Sequence, residues 1–294
     1  MPVAKFALGI DFGAESGRVM LVDAATGEEV AWSAVPYVNG VMDRRLPDDT
    51  PIPHDWALQD PRDYLFVLEH GVPEVLAAAR ADPNDVLGIG IDFTSCTLLP
   101  TLADGTPLCL VDRWASHPHA WVKLWKHHAA QSQATRLVAL AARRREPFLA
   151  IYSGQYSSEW FFSKVLQIVE EAPEVYAAAG RLIEAGDWIV WQLTGREARS
   201  ECAAGFKACW IKGQGYPSRA FFHELHPLLE DVVADKLSAP LLPLGASAGG
   251  LTPAMADRLG LNPGTPVAAA VVDAHAAVTA CGVTEPGRLV MIMG

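Results

Sequence analysis

The sequence predicts an α/β fold, because short apolar strands alternate with amphipathic helices along its 294 residues. Two of the strands carry the same tetrapeptide, Gly-Ile-Asp-Phe, at 9–12 and 90–93. A third apolar run, 267–272, is also followed by an aspartate, Asp273. Ligands of open α/β sheets gather at the carboxyl ends of strands, so these aspartates predict a binding site there.

Charge and cysteine content argue against several classes of protein. The net charge of −11 argues against a nucleic-acid partner, because phosphate binding requires clustered lysine and arginine. The five cysteines are scattered and lack C-x-x-C spacing, so they predict neither a disulfide framework nor a zinc site. The longest apolar stretch, 267–283, contains Asp273 and His275 and predicts a buried segment, not a membrane span. Because the N-terminus has no signal-peptide pattern, we expect a cytoplasmic protein.

The first strand leads into a short turn that contains glycine. The apolar run 6–10 is followed by Asp11, by glycines at 13 and 17, and by a second apolar run, 19–22. The second run alternates and ends in another turn, so the segment predicts a β-hairpin. A dinucleotide fingerprint would open a helix here, and no P-loop motif occurs anywhere in the sequence.

Two interpretations of Asp11 stay open at this point. A turn with glycine, serine and backbone N–H groups can bind phosphate oxygens. A carboxylate beside phosphate needs a cation between them, so this interpretation implies Mg²⁺ at Asp11. Alternatively, Asp11 accepts hydrogen bonds from the amides of a tight hairpin.

The elements after the hairpin alternate in type. Residues 29–36 predict a third strand, and 38–58, rich in Pro and Asp, predict an irregular insertion. A helix is expected over 61–80, starting after Asp60, with apolar residues at helical spacing. Residues 88–102 repeat the order strand, aspartate, small polar turn and strand.

The rest of the chain predicts mostly helices. Three helices are expected in the middle of the chain, over 121–142, 158–172 and 217–229. Residues 183–195 combine an apolar run with a buried aspartate and a terminal glycine. The segment 259–283 predicts a turn, a strand, Asp273 and a helix of small residues.

Asp273 also has two interpretations. At the end of a strand and above a helix N-terminus, its ionised form is favoured by the helix dipole and can accept a proton from a substrate hydroxyl. The same position suits an aspartate that caps the helix. Two pairs of histidines are interpreted as structural: His117 with His119, and His127 with His128. Adjacent side chains on a helix diverge by about 100°, so His127 and His128 do not share one metal well, and the other pair lacks nearby ligands.

Taken together, eight segments resemble the FGGY carbohydrate kinases. The segments are GIDFGAESGR (9–18), GIGIDFTSCTLLP (88–100), VKLWKHHAAQ (122–131), YSSEWFFSKVLQI (156–168), EAGDWIVWQLTG (184–195), CAAGFKACW (202–210), VDAHAAV (272–278) and PGRLVMIMG (286–294). The resemblance runs from about residue 6 to residue 294. Within the family, SSEWFF, WKHHAA and AGFKACW resemble the L-ribulokinase branch.

The resemblance implies a fold and a set of site residues. The fold is an actin-like, ribonuclease-H-like ATPase domain with a mixed sheet flanked by helices. The first hairpin becomes a phosphate-binding loop in which Asp11 holds the magnesium of Mg-ATP, and Asp273 becomes the catalytic base. The residues that shape the loop near the transferred phosphoryl group are Gly13, Ser16 and Arg18. The residues placed around the ketose are Ser95, Cys96, Thr97, Glu159, Asp187, Lys207 and His275.

The resemblance also implies an activity. The expected reaction transfers the γ-phosphate of ATP to L-ribulose, gives L-ribulose 5-phosphate and belongs to L-arabinose catabolism. A homodimer is compatible with it, and neither nucleic acid nor membrane is an expected partner. Two alternatives stay open: another ketopentose or pentitol kinase of the family, or a non-catalytic sugar-binding module.

The resemblance divides the sequence into two parts. Residues 4–284 are expected to form the sugar-binding N-terminal domain, and 285–294 the first strand of the ATP-binding C-terminal domain. An unpaired strand is expected at 289–293. The family's second phosphate loop and adenosine-binding domain are missing from the sequence, so we expect little ATP turnover by this polypeptide alone.

Overall fold

The computed structural model describes residues 4–292, which form sheets of seven, four and two strands with helices packed against them. The strands are β1 (Phe6–Phe12), β2 (Ser16–Asp23), β3 (Glu29–Pro36), β4 (Leu58–Gln59), β5 (Val86–Phe93), β6 (Leu98–Thr101), β7 (Val122–Lys123), β8 (Arg181–Glu184), β9 (Arg199–Ser200), β10 (Leu241–Leu242), β11 (Ser247–Gly250), β12 (Pro266–Ala268) and β13 (Val271–Val272). The α-helices are α1 (Pro61–Ala79), α2 (Gln131–Arg144), α3 (Pro147–Ile151), α4 (Phe161–Glu171), α5 (Pro173–Ala178), α6 (Ala185–Thr194), α7 (Glu201–Lys207), α8 (Arg219–Leu225), α9 (Val232–Lys236), α10 (Pro253–Leu259) and α11 (Asp273–Ala280).

The larger sheet places the three aspartates at one edge. Its order is β11-β12-β5-β1-β2-β3, and β13 also pairs with β5. Strands β1 and β5 run parallel with Asp11 opposite Asp92, and β13 runs parallel to β5 with Val271 opposite Asp92. The carboxyl ends of the three strands therefore meet, and Asp273 begins α11 directly after β13. This mixed α/β sheet confirms the expected fold class.

The first three strands form as the sequence predicts. Strands β1 and β2 are an antiparallel hairpin, and β3 spans the predicted residues 29–36. Helix α1 begins after Asp60, whose side chain accepts a hydrogen bond from the Arg62 N–H. The insertion 38–58 contains only isolated bridges before β4.

The second sheet is antiparallel, with the order β4-β7-β6-β8. Strands β5 and β6 were predicted as one strand–turn–strand unit, but they belong to different sheets. The turn between them contains Cys96 in the left-handed region, with φ 59°. The first copy of Gly-Ile-Asp-Phe therefore lies in a hairpin. The second copy ends a strand whose following turn leads into a different sheet.

The middle helices are shorter than predicted. The helix expected over 121–142 begins only at Gln131, because Val122 and Lys123 pair with β4. The helix expected over 158–172 begins at Phe161. The helix expected over 217–229 splits, because Pro227 cannot continue α8 and starts a 3₁₀ turn.

The last described residues differ from the sequence prediction. No strand forms over 284–292, and Leu289, Met291 and Ile292 are exposed. Met293 lies outside the described residues. Within 4–292, no helix has the length and apolar content needed to cross a bilayer.

Gly17 is required by the packing of α1 against the first hairpin. A Cβ at Gly17 would lie 2.4 Å from Val67 Cγ1 on α1. We expect Gly17→Ala to lower the free energy of unfolding by about 1–3 kcal/mol through overpacking. The measurement is urea unfolding.

Two comparison variants separate this clash from a general effect of replacing glycine. Gly90→Ala is a matched control, because no atom lies within 4 Å of a Cβ there. Adding Val67→Ala to Gly17→Ala should recover part of the lost stability. Equal losses at Gly17 and Gly90 would contradict the clash.

Candidate active site

The turn of the first hairpin is shaped by its own backbone and by Arg18. The Gly13 N–H donates to the Ser16 carbonyl over 3.0 Å. Arg18 Nη1 donates to Asp11 Oδ2 over 2.6 Å. The carboxylate before the turn therefore pairs with the guanidinium after it. Asp11 therefore faces a guanidinium and not the turn amides.

Buried side chains donate hydrogen bonds to the backbone carbonyls of the turn. The Tyr37 hydroxyl donates to the Gly13 carbonyl over 3.0 Å, and Gln59 Nε2 donates to the Ala14 carbonyl over 2.7 Å. The Tyr64 hydroxyl in turn donates to Gln59 Oε1 over 2.7 Å. These bonds hold the loop carbonyls inward, which leaves the other side of the turn available to a ligand.

Three carboxyl groups lie together at the edge of the larger sheet. Burial, the Asp11 carboxylate and a hydrogen bond with Asp11 raise the pKa of Asp92 to about 8, and Asp273 adds to the effect. Burial is also the largest cause that raises the pKa of Asp273, opposed by its hydrogen bond from the Ala274 N–H. Asp92 was not assigned a role from sequence, although the repeated tetrapeptide pointed to it.

These groups open onto a cleft of about 550 Å³. Its polar wall consists of Asp11, Gly13, Arg18, Asp92, Thr94 and Asp273. Trp125 and small residues of α11, including Ala276 and Ala277, complete the wall. The cleft therefore combines Gly13 and Arg18 of the predicted phosphate loop with the predicted base.

Asp92 makes stability depend on pH in a defined direction. Its pKa is about 8 in the folded protein and 3.8 in a model peptide, so between these values the folded state binds the extra proton. The free energy of unfolding therefore falls as pH rises through this window. We expect Asp92→Asn, which stays neutral, to be more stable than the native protein at pH 8 by about 1–3 kcal/mol.

Urea unfolding at pH 5 and pH 8 tests this expectation. The exposed Asp257→Asn on α10 is the matched control and should leave the pH dependence unchanged. Some dependence should persist in Asp92→Asn, because burial also raises the pKa of Glu184 and of Asp187, each to about 7. Identical pH dependence in native protein and Asp92→Asn would contradict the assignment.

The fold brings Lys207 to Ser95 from 112 residues away. Lys207 Nζ at the end of α7 donates to Ser95 Oγ over 3.0 Å. The ammonium lies 4.7 Å from the Phe206 ring centroid and 5.9 Å from that of Trp160. An ammonium with an aromatic wall beside a hydroxyl is a suitable environment for a polyol ligand.

A buried lysine on α4 holds the turn that carries Ser95. Lys164 Nζ donates to the Cys96 carbonyl over 2.6 Å and to the Leu124 carbonyl over 2.7 Å. Cys96 is buried, and its backbone carbonyl is the atom that accepts from Lys164. The Thr97 hydroxyl donates to the Thr94 carbonyl over 2.9 Å, inside the turn. Thr97 and Lys164 therefore stabilise the turn through hydrogen bonds to its backbone carbonyls.

Asp187 and Glu184 lie next to the turn that carries Ser95. Asp187 Oδ1 accepts a hydrogen bond from the Ser200 N–H over 2.9 Å. Both carboxyls line a cavity of about 10 Å³, together with Thr94 and Ser95, and Glu184 Oε1 has no hydrogen-bond partner among the described residues. The cavity has room for about one water molecule.

The two remaining predicted residues have different positions. Glu159 Oε1 lies 3.4 Å from His128 Nδ1, and neither Glu159 nor His275 is among the residues that line the cleft. His275 lies on α11, where its Nδ1 is 3.0 Å from Cys202 Sγ and its ring packs edge-on against Phe206. His275 is thus close to Lys207 through Phe206.

The carboxylates are compatible with a nucleotide-bound magnesium ion. Within 4–292, no three His, Cys, Asp or Glu side chains are arranged to enclose a metal. Mg²⁺ typically takes only one or two protein carboxylates and otherwise binds phosphate and water. Asp11 and Asp92 provide that number. Burial is the largest cause of the raised pKa of Asp92, and the Asp11 and Asp273 carboxylates add a negative charge that a cation would offset.

Comparisons with known proteins agree on the family. The model of the N-terminal domain of the FGGY family of carbohydrate kinases matches residues 6–280. The chain is 54% identical over 280 residues to a ribulokinase of Bacillus licheniformis, which covers 95% of this chain and 51% of that protein. It is 50% identical over 291 residues to a ribulokinase of Halalkalibacterium halodurans, covering 99% and 52%.

Solved structures show the same fold at low sequence identity. A xylulose kinase from Rhodospirillum rubrum superposes with a TM-score of 0.68 at 20% identity, covering 96% of this chain and 52% of that one. A Plasmodium falciparum glycerol kinase with ADP gives a TM-score of 0.68 at 14% identity, covering 96% and 51%. The chain spans about half the length of the curated relatives that it matches. It belongs to the FGGY family of carbohydrate kinases.

Proposed function

We propose that this chain supplies the sugar-side half of an L-ribulokinase, which transfers the γ-phosphate of ATP to L-ribulose to give L-ribulose 5-phosphate. The observation that carries the proposal is the shared edge of Asp11, Asp92 and Asp273, with the Lys207–Ser95 pair nearby. The ribulokinases at 50–54% identity support the choice of sugar. Membership of L-arabinose catabolism is part of the same proposal.

Asp273 is the proposed base for the attacking hydroxyl. Its carboxylate begins α11, accepts the Ala274 N–H and lines the cleft beside the phosphate loop. Because burial raises its pKa, the carboxylate is a better proton acceptor than an exposed aspartate. Lys207 and Ser95 would fix the ketose so that its hydroxyl points toward Asp273.

The phosphate loop has a separate role. When bound, Mg²⁺ neutralises charge on the phosphates, and Asp11 with Asp92 would hold it. Arg18 is positioned by Asp11 to face the same cleft. Phosphoryl transfer needs mainly alignment and charge stabilisation, and these residues supply both on the sugar side.

The length of the relatives bears on what this chain can do alone. Since it spans about half of those ribulokinases, we propose that ATP turnover also requires the part corresponding to their second half. Binding of the ketose depends only on residues present here. A cytoplasmic location and a homodimer are further parts of the proposal.

Titration of L-ribulose into this chain by calorimetry tests the proposal. We expect saturable binding that Lys207→Met weakens at least about tenfold, because the substitution removes a charged donor of hydrogen bonds. Lys212→Met is the matched control, since Lys212 lies five residues on and its side chain is 78% exposed. D-ribulose and L-arabinitol define the substrate range.

The possible results have different meanings. Tighter binding of the pentitol than of L-ribulose would favour a pentitol kinase. Absence of L-ribulose binding by folded protein would contradict the proposed sugar site.

A further inference from the structure

We propose that Cys202 holds the His275 imidazole in the tautomer with the proton on Nε2, so that His275 donates a hydrogen bond to an oxygen of the bound ketose. Cys202 is then a positioning residue, and His275 is the residue that touches the sugar. This inference rests on the proposed function above for its ligand. The assignment of the tautomer does not depend on that function.

The contact that carries the inference joins α7 to α11. Cys202 Sγ lies 3.0 Å from His275 Nδ1. Phe206 is four residues after Cys202 and so lies on the same face of α7. Its ring centroid is 4.5 Å from that of His275, with the planes at 62°. Two side chains of α7 therefore fix both the position and the orientation of the imidazole.

The direction of the hydrogen bond follows from the chemistry of the two groups. A neutral imidazole nitrogen accepts hydrogen bonds more strongly than a thiol sulfur, and the thiol carries a proton that it can donate. Burial raises the pKa of Cys202 and lowers the pKa of His275, which leaves a neutral thiol facing a neutral imidazole near pH 7. The S–H donates and Nδ1 accepts, so the remaining ring proton is on Nε2.

The His275 ring lies near groups that are expected to bind sugar. The charged groups near His275 are Asp273, two residues earlier in the same segment of chain, and Lys207, which packs on Phe206. Within residues 4–292, Nε2 of His275 has no hydrogen-bond partner. A ring held at Nδ1 and packed against Phe206 can offer only Nε2–H, and a ketose presents carbonyl and hydroxyl oxygens that accept it.

Nuclear magnetic resonance of this chain labelled with ¹⁵N-histidine tests the tautomer. In the native protein the His275 signals should show Nε2 protonated and Nδ1 bare. His275→Gln identifies those signals by their loss. Cys202→Ser, whose hydroxyl can also donate, should keep the tautomer, and Cys202→Ala should give a mixture of tautomers.

Two results would overturn the tautomer assignment. One is a native protein with the proton on Nδ1. The other is a Cys202→Ala variant with the same signals as the native protein while remaining folded. Cys202→Ser preserves the side-chain volume closely, so it should fold even if the alanine variant is unstable. A serine variant with the proton on Nδ1 would then also contradict the assignment.

Calorimetry with L-ribulose tests the role of the donor. The side-chain amide of glutamine can place N–H near the position of Nε2, and that of asparagine cannot. We therefore expect His275→Gln to bind within about threefold of the native chain, and His275→Asn to lose about tenfold or more. Equal losses in the two variants would overturn the donor role.

Failure of the proposed function would look different from failure of this inference. If the native chain does not bind L-ribulose, the proposed sugar site fails for this chain. The tautomer is measured without sugar, so it is decided by the resonance data alone.

Discussion

Replacing Asp273 with asparagine is expected to lower kcat for L-ribulose phosphorylation by about 10²- to 10⁴-fold, the usual contribution of a positioned general base. Asparagine keeps the size of the side chain and can still accept the Ala274 N–H. It cannot take a proton from the attacking hydroxyl. The loss should therefore appear in kcat, with a smaller change in the affinity for L-ribulose.

The assay requires a protein of the relatives' full length. We would fuse residues 1–284 to the second half of the Bacillus licheniformis ribulokinase, to which this chain is 54% identical over 280 residues. The unmodified fusion sets the reference rate, and Asp257→Asn, exposed on α10, is the matched control. An active fusion in which Asp273→Asn keeps its kcat would remove Asp273 from the role of base.

The pH profile adds a second criterion. Because burial raises the pKa of Asp273, the rate of the reference fusion should increase with pH through an acidic limb that lies above the usual range for aspartate. That limb should be absent from the residual rate of Asp273→Asn. A limb that persists in the variant would assign the titration to another carboxyl of the cleft, such as Asp92.

The hairpin was predictable from sequence because its signals are local. Asp11, two glycines and alternating apolar residues lie within about fifteen positions, and the structure forms the hairpin there. The strand at 29–36 and the start of α1 at Asp60 also depend on neighbouring residues alone. Local pattern is sufficient where pairing involves strands that are adjacent in sequence.

Asp92 shows where local pattern fails. The sequence contains the same tetrapeptide twice, but nothing in it states that β1 and β5 are parallel neighbours with Asp11 opposite Asp92. That register brings the two carboxyls together and raises the pKa of Asp92. The contact of Lys207 with Ser95 is likewise a property of the fold, since 112 residues separate them.

The predicted helix at 121–142 was wrong at its start for a related reason. Apolar residues at 121, 122 and 124 fit a helix, but Val122 and Lys123 pair with β4 instead. Long-range pairing overrode a local preference. The same segment supplies the Leu124 carbonyl that Lys164 binds, so the misassigned stretch is part of the support of the proposed sugar site.

Loss of the Lys164 ammonium should destabilise the fold strongly. On an amphipathic helix, a lysine normally predicts an exposed position, but this one is fully buried. Its ammonium donates to the carbonyls of Cys96, Lys123 and Leu124. Each buried carbonyl left without a donor costs about 1–3 kcal/mol. We therefore expect Lys164→Met to lower the free energy of unfolding by about 3–5 kcal/mol.

Urea unfolding with Lys212→Met as the control measures this difference. Lys212 is exposed, so the control should change stability by less than about 0.5 kcal/mol. Methionine matches the length of lysine, so the expected loss arises from missing hydrogen bonds and not from a cavity. If Lys164→Met unfolds as the control does, the carbonyls of the Ser95 turn find other partners.

The pH dependence of the same variant tests the cause. Burial lowers the pKa of Lys164 to about 8 from its usual value of 10.5. Between these values the unfolded chain binds the additional proton, so the contribution of this group to stability rises with pH in that window. Lys164→Met lacks the group, and the native protein should gain stability relative to the variant from pH 8 to 10. A constant difference over that range would mean that Lys164 keeps its proton in the fold, with its ammonium fully stabilised by the three carbonyls.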